Sequence, residues 1–189
     1  ARALIERFYH ERAAILVGTN MALPYLQEGV DLTGVVSYDA TRSIPTWRAD
    51  EEVFRLLMQL RERTRREVIV QTRTEPDAPL QFAGRGAVER FFEDELKLRE
   101  ALAYPPFSRF VLVSWQGSAE AVALLEEDIM KHLAHLEPYR YSGPHSTLKR
   151  QLRHALITLP GGTIAPETLT ALRKLPPHVR VEVDPERIV

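Results

Sequence analysis

The stretch QLRERTRR at residues 59–66 sets Arg61, Arg63, Arg65 and Arg66 close together. Guanidinium groups at this density suit phosphate binding, because each presents a planar fork of donors that stays charged at physiological pH. The same density also describes the solvated end of an ordinary helix. A second cationic stretch lies further on. Between Glu137 and Glu167 the chain carries no Asp or Glu, while Arg140, His145, Lys149, Arg150, Arg153 and His154 fall there alongside Tyr139 and Tyr141. Cations that release counterions from a phosphate backbone, beside rings that offer a stacking face, are what contact with nucleic acid needs. A hairpin that is basic by chance reads the same way.

Other chemistry finds little footing. None of the nine glycines is followed by Lys, so a G-x-x-x-x-G-K-[ST] phosphate loop is missing. Asp50, Glu51 and Glu52 read as the dipole-favoured start of a helix rather than as a magnesium site at a strand end. This chain therefore does not bind and split a nucleotide unaided. Zero cysteines exclude disulfides, a thiol nucleophile and a cysteine zinc site within it. His132 and His135 share helical spacing but lack a third ligand nearby and read as two solvated histidines on a polar face. No G-x-S-x-G elbow supports a hydrolase. With 25 basic against 26 acidic residues, the information lies in how charge is distributed. Apolar runs such as AAILVG are far too short to span a bilayer and there is no charged-then-apolar leader, so the expectation is a cytoplasmic protein with no membrane partner. The chain opens at Ala1 without an initiator Met and reads as a piece of a longer one.

The elements that must position these residues follow from periodicity. Leu4, Ile5, Phe8 and Tyr9 mark one helical face, and AAILVG (13–18) then reads as a fully buried strand. LTGVVSY (32–38) and EVIVQT (67–72) are further apolar strands. Between them, Val53, Leu56, Leu57 and Leu60 predict a helix through 49–64. Apolar strands alternating with helices predict a parallel sheet covered on both faces, here incomplete. EPDAPLQFAGRG (75–86), punctuated by Pro76, Pro79, Gly84 and Gly86, reads as a connection into a helix over 87–102. The pattern then changes. Strands at 108–117, 139–143, 150–160 and 178–183 enclose helices at 118–136, capped by Ser118, and at 165–175, opened by Pro166. The order β-α-β-β-α-β is that of a ferredoxin-like split unit.

These residues also carry a resemblance. DELKLREALAYPPFSRFVLV (94–113) closely resembles the junction into the C-terminal domain of primosomal protein N-prime, a bacterial replication-restart DNA helicase family in which E-L-x-x-R-x-x-x-x-Y-P-P-F is a specific signature. ILVGTNM (15–21) resembles helicase motif V, with Asn20 standing where the family has Gln. Asp39, Pro45, Arg48, Ala49, Glu51, Phe54, Leu56 and Leu57 match the run into motif VI, and VRVEVDPERIV (179–189) resembles the family's closing strand. Motif VI reads Gln-Val-Ala-Gly-Arg-Ala-Gly-Arg in the family; QLRERTRR keeps Gln59, Arg63 and Arg66 and has Glu62 and Arg65 where the glycines stand.

The resemblance implies an α/β plus α+β chain: a partial RecA-like helicase lobe with a parallel sheet, followed by the ferredoxin-like C-terminal domain. Its implied domains are 1–75, the second half of the second RecA-like motor lobe; 76–105, a linker and connecting helix; and 106–189, a C-terminal DNA-binding domain. Gln59, Arg63 and Arg66 would be the remnant of the nucleotide site, and Gly18, Thr19, Asn20 and Met21 the motif V-like loop. In active relatives such arginines neutralise transition-state charge. Here the lost glycines would crowd a close backbone approach, and the Lys-Gly that follows motif V is replaced by ALPYL, one residue short. The implied function is that of a replication-restart primosome protein that binds forked or branched DNA and promotes primosome assembly, with a degenerate, inactive motor. Two alternatives stand beside it, an active ATP-dependent 3′–5′ helicase and a free-standing nucleic-acid-binding adaptor. Arg140, Lys149, Arg150, Arg153 and His154 are the expected DNA contacts. Other primosome proteins or single-stranded DNA-binding protein are expected partners. ATP and zinc belong, if anywhere, to the full-length protein.

Overall fold

The computed structural model describes residues 2–42, 46–144, 146–147 and 150–188. They pack as two compact units, one of residues 1–44 and 48–93, the other of 45–47 and 94–189.

In the first unit, α1 (Arg2–His10) precedes a 3-10 turn at Asn20–Tyr25, β1 (Val30–Val35), α2 (Tyr38–Arg42), α3 (Ala49–Arg63), β2 (Thr64–Val70), α4 (Ala78–Arg85) and the start of α5 (Val88–Ala101). α3 places acids in its first turn and Arg61 and Arg63 in its last, as the helix dipole favours. Val53, Phe54 and Leu57 form its buried face. β1 and β2 pair in parallel, the connection running through α2 and α3.

Two expectations fail here. Residues 13–18 form no strand: Ala14 and Leu16 turn inward, whereas Ile15 and Val17 are each 89% exposed. An apolar run becomes a strand only where a neighbouring strand takes its backbone hydrogen bonds, and among the described residues β1 and β2 pair only with each other. The parallel sheet therefore has two strands rather than three.

Nor is 75–86 merely a connection, because it holds α4. The Asp77 carboxylate accepts the Leu80 amide at 3.1 Å, Pro79 lies in the first turn, and Gly86 closes the helix in the left-handed conformation at φ 67°. Those residues punctuate a helix at both ends rather than a loop throughout. Arg61 then donates through Nη1 to the carbonyls of Ala83 (2.8 Å) and Gly84 (3.1 Å). Cation and donors thus meet the negative end of α4. Phe91, from α5, stacks on Phe54 with centroids 3.9 Å apart.

The second unit is built on β3 (Ser108–Gly117), α6 (Ala119–His132), β4 (Tyr139–Ser142), β5 (Gln151–Pro160), α7 (Pro166–Arg173) and β6 (Arg180–Val183). The predicted β-α-β-β-α-β order is observed, in an antiparallel sheet of order β4-β5-β3-β6. Ser118 caps α6 by accepting the Ala121 amide at 3.3 Å. α6 ends at His132, and a short 3-10 turn, Ala134–Leu136, completes the predicted 118–136 stretch.

Alternation sorts the strands into two faces. Val111, Val113 and Trp115 of β3 and Ala155, Ile157 and Leu159 of β5 form one core with Val122, Ile129 and Leu133 of the α6 region and Ala171 and Leu172 of α7. On the other face of β3, Phe110, Leu112 and Ser114 are also buried. Trp47 packs edge-on against Phe110 (5.9 Å, 85°) and donates its indole N–H to the Pro185 carbonyl at 2.8 Å. The segment after β6 thereby lies against this second face.

Candidate nucleic-acid interface

The β4–β5 hairpin carries the expected DNA contacts. Its turn depends on Gly143, where an added Cβ would lie 2.6 Å from the Leu152 side chain and 2.8 Å from the His154 ring. Hydroxyl groups hold the tip. Ser146 Oγ donates to the Leu152 carbonyl (2.9 Å) and accepts its amide (3.0 Å), and Thr147 Oγ1 accepts the Arg150 amide at 3.0 Å. Arg150 is exposed at this tip. Lys149 and His145 lie outside the described residues.

Register separates the remaining cations. Arg153 sits opposite Ser142 on β4 and Trp115 on β3, and Arg140 opposite Ala155, so both side chains leave the sheet on its helix side. There α6 supplies an acid. Glu126 meets Arg140 Nη1 through Oε1 at 3.2 Å and Arg153 Nε through Oε2 at 3.5 Å. Arg153 also donates to Ser142 Oγ (3.0 Å) and Gln151 Oε1 (2.9 Å). Arg153 is thus held on several sides, whereas Arg140 stays 66% exposed. A stretch free of acids in sequence has one in space. The signal was present in the sequence: Glu126 falls four residues after Val122 and three before Ile129, beside the buried stripe of its helix.

His154 points to the opposite face. Its Nδ1 hydrogen-bonds Ser114 Oγ at 2.8 Å, and its ring lies 5.2 Å from that of Tyr141. Burial disfavours the imidazolium and lowers the His154 pKa, with Glu182 pulling weakly the other way. A neutral imidazole adds no charge to the hairpin at pH 7. The Tyr141 hydroxyl donates to the Ile188 carbonyl, and burial pushes its pKa up to about 12.

A lowered histidine pKa carries a direction for stability. Below the ordinary value of about 6.5 the unfolded chain binds more protons than the folded one. The stabilisation held by neutral His154 is present above that pH and is lost as pH falls through it toward the folded value. The second unit is therefore expected to lose stability as pH falls below about 6.5, and His154→Gln to flatten that slope. Urea melts at each pH check this, and an identical slope in the variant would contradict it.

In the first unit, the motif V-like and motif VI-like segments meet. Gly18, Thr19, Asn20 and Met21 are exposed and lead into the 3-10 turn. Arg63 donates through Nε to the Leu23 carbonyl at 3.1 Å and through Nη1 to the Gln59 carbonyl at 3.3 Å. Arg65 reaches the Glu28 carbonyl (2.7 Å) and Asp31 (3.3 Å). Gln59 and Arg66 are exposed, Arg66 on β2. Most of the arginine cluster thus serves backbone carbonyls. In the other unit His132 is not simply solvated, because its Nε2–H donates to the Ala171 carbonyl at 2.9 Å. No group of three metal-ligating side chains occurs among the described residues, and none of their helices is long and apolar enough to cross a membrane.

No family model matches the chain. Curated relatives do. The replication restart protein PriA of Chlamydia muridarum is 33% identical over 137 residues, covering 69% of this chain and 18% of that protein. The protein of the same name from Bacillus subtilis (strain 168) is 33% identical over 135 residues, 68% of this chain and 17% of its own length. This chain is similar to replication restart protein PriA. The PriA of Rickettsia conorii extends the likeness to 91% of the chain, at 27% identity over 188 residues and 29% of that protein. The chain thus spans less than a third of the length of these PriA relatives. At this level the resemblance read from the sequence holds: the likeness is to part of a replication-restart protein.

Proposed function

We propose that this chain is the C-terminal part of a replication-restart protein. In this reading residues 106–189 bind forked or branched DNA and promote primosome assembly, and residues 1–75 are the second half of a RecA-like motor lobe. The observation that carries the DNA-binding role is the hairpin tip, where hydroxyl hydrogen bonds hold the backbone and leave Arg150 exposed. Phosphate oxygens need such cations and are indifferent to base sequence. The relatives' name supplies the replication-restart context.

The motor is read as inactive. Arg63, one of the arginines that the resemblance assigns to the phosphates, donates through Nε and Nη1 to the carbonyls of Leu23 and Gln59, and the nearby Glu62 and Arg65 occupy positions where a close phosphate approach calls for glycine. The residues present therefore do not fit a nucleotide. A cysteine zinc site has no ligands in this chain, which has zero cysteines. DNA-stimulated ATP turnover by the full-length protein that Arg66→Ala abolished would establish the active-helicase alternative instead.

Arg150→Ala tests the hairpin. Removing one phosphate contact is expected to lower fork affinity equally for forks of any sequence and to reduce the slope of log K against log salt by up to about 1. An unchanged slope in the folded variant would remove Arg150 from the interface.

A further inference from the structure

The hairpin presents different chemistry on its two faces. Its arginines leave on the helix side, whereas Tyr139, Tyr141 and His154 lie together on the other. Tyr139 is opposite Leu156 and Tyr141 opposite His154, and the rings form a row: Tyr139 to Tyr141 at 6.0 Å and 31°, Tyr141 to His154 at 5.2 Å and 34°. The two inner members are anchored from behind. His154 is hydrogen-bonded to Ser114 in the sheet's centre, and the Tyr141 hydroxyl is held by the Ile188 carbonyl. Only the outer member is open, with Tyr139 70% exposed on edge strand β4.

An exposed tyrosine costs apolar hydration, and this one has its ring braced by that of Tyr141 instead of lying free. Shallow tilts, rather than edge-on packing, keep the rings roughly aligned. Arg140, next in the chain, leaves on the opposite side of this edge strand, where it is 66% exposed and meets Glu126, and Arg150 is exposed at the tip. A flat exposed ring matches the π-face of an unpaired base, and a strand that crosses this sheet edge would find cations on the far side of β4 and at the hairpin tip. A base paired within a duplex offers no free face. A protein partner would find one ring and a polar edge, too little apolar area for a stable interface.

We infer that Tyr139, braced by Tyr141, which His154 backs in turn, is a stacking platform for an unpaired base of single-stranded nucleic acid on the hairpin whose tip offers the phosphate contact. This inference rests on the proposed DNA-binding role and adds to it a reason for preferring branched over fully paired DNA. Unpaired bases at a fork junction supply the stacking partner. Stacking is uncharged, so its signature differs from that of the arginines.

The test compares the 1–189 chain with Tyr139→Ala, Tyr139→Phe and Arg150→Ala by fluorescence anisotropy. The probes are a fork with oligo-dT arms and a blunt duplex, each at several salt concentrations. Tyr139→Ala is expected to weaken fork binding roughly five- to one-hundred-fold, the range for one lost base stack. It should leave the salt slope and the duplex affinity unchanged, and Tyr139→Phe should restore the fork. Tyr139 is exposed, so melting curves of the variants should match the parent. If Tyr139→Ala binds the fork as the parent does while Arg150→Ala lowers the slope, the platform is wrong and the phosphate-binding hairpin stands. If neither variant changes binding, both are wrong.

Discussion

Arg99→Ala will destabilise the four-stranded unit by about 3–5 kcal/mol, the cost of leaving a buried ionic partner uncompensated. Arg99 donates through Nε to Glu95 Oε1 at 2.8 Å, and the two side chains are 10% and 8% exposed. Its Nη1 reaches the Pro105 carbonyl at 3.5 Å, and the guanidinium lies 5.0 Å from the Trp47 ring. One side chain thus joins α5, the Tyr104–Pro106 turn and the Trp47 segment that packs on Phe110. Alanine removes all three links and strands a carboxylate away from water. Glu95→Leu combined with Arg99→Met is expected to recover most of the loss, because a buried ion pair is often replaceable by packed apolar groups. Both tryptophans of the chain, Trp47 and Trp115, belong to this unit, so intrinsic fluorescence in urea reports its unfolding. A loss below about 1 kcal/mol for Arg99→Ala would show that the pair contributes no more than a surface bridge.

The second large effect is a gain. Glu126→Gln keeps the shape of the side chain and removes its charge, releasing Arg140 and Arg153 from a shared carboxylate that is itself only 21% exposed. Two guanidiniums newly available to phosphate would steepen the salt slope by up to about 2, equivalent to roughly a further tenfold fall in affinity between 50 and 200 mM salt. At the low-salt end fork binding tightens correspondingly. Arg153 keeps its bonds to Ser142 and Gln151, which hold it in place, and Arg140 is the freer of the two. Equal affinity and slope for parent and variant would mean that these arginines serve only to pin β4 and β5 to α6.

Much of this organisation is legible in the sequence, for physical reasons that also explain the misses. The antiparallel unit reads cleanly because Val111, Val113 and Trp115 alternate with residues of the other face, and because Ser118 and Pro166 mark helix starts by the hydrogen bonds they make or forgo. Ile15 and Val17 mislead, since an apolar run states a preference for burial without supplying the neighbouring strand. α4 is hidden because Pro79 and Gly86 break helices in the middle and finish them at the ends, and only position distinguishes the two. At the hairpin, the acid-free span is visible, and so is the place of Glu126 beside the buried stripe of α6, but its meeting with Arg140 and Arg153 is created only when α6 packs on the sheet. Alternation along β4 and β5 alone suffices to separate Arg140 and Arg153 from Tyr139, Tyr141 and His154, because successive side chains of a strand point to opposite faces.

Binding of branched DNA through the β4–β5 hairpin is our proposal for this chain. It is tested most directly by measuring the affinity of the 1–189 chain for a fork and for a blunt duplex of the same length across about 50–200 mM salt, the range over which phosphate contacts weaken most visibly. Tighter binding to the fork throughout is expected, with an affinity for both that falls as salt rises. Equal affinity for the two, or binding indifferent to salt, would contradict it.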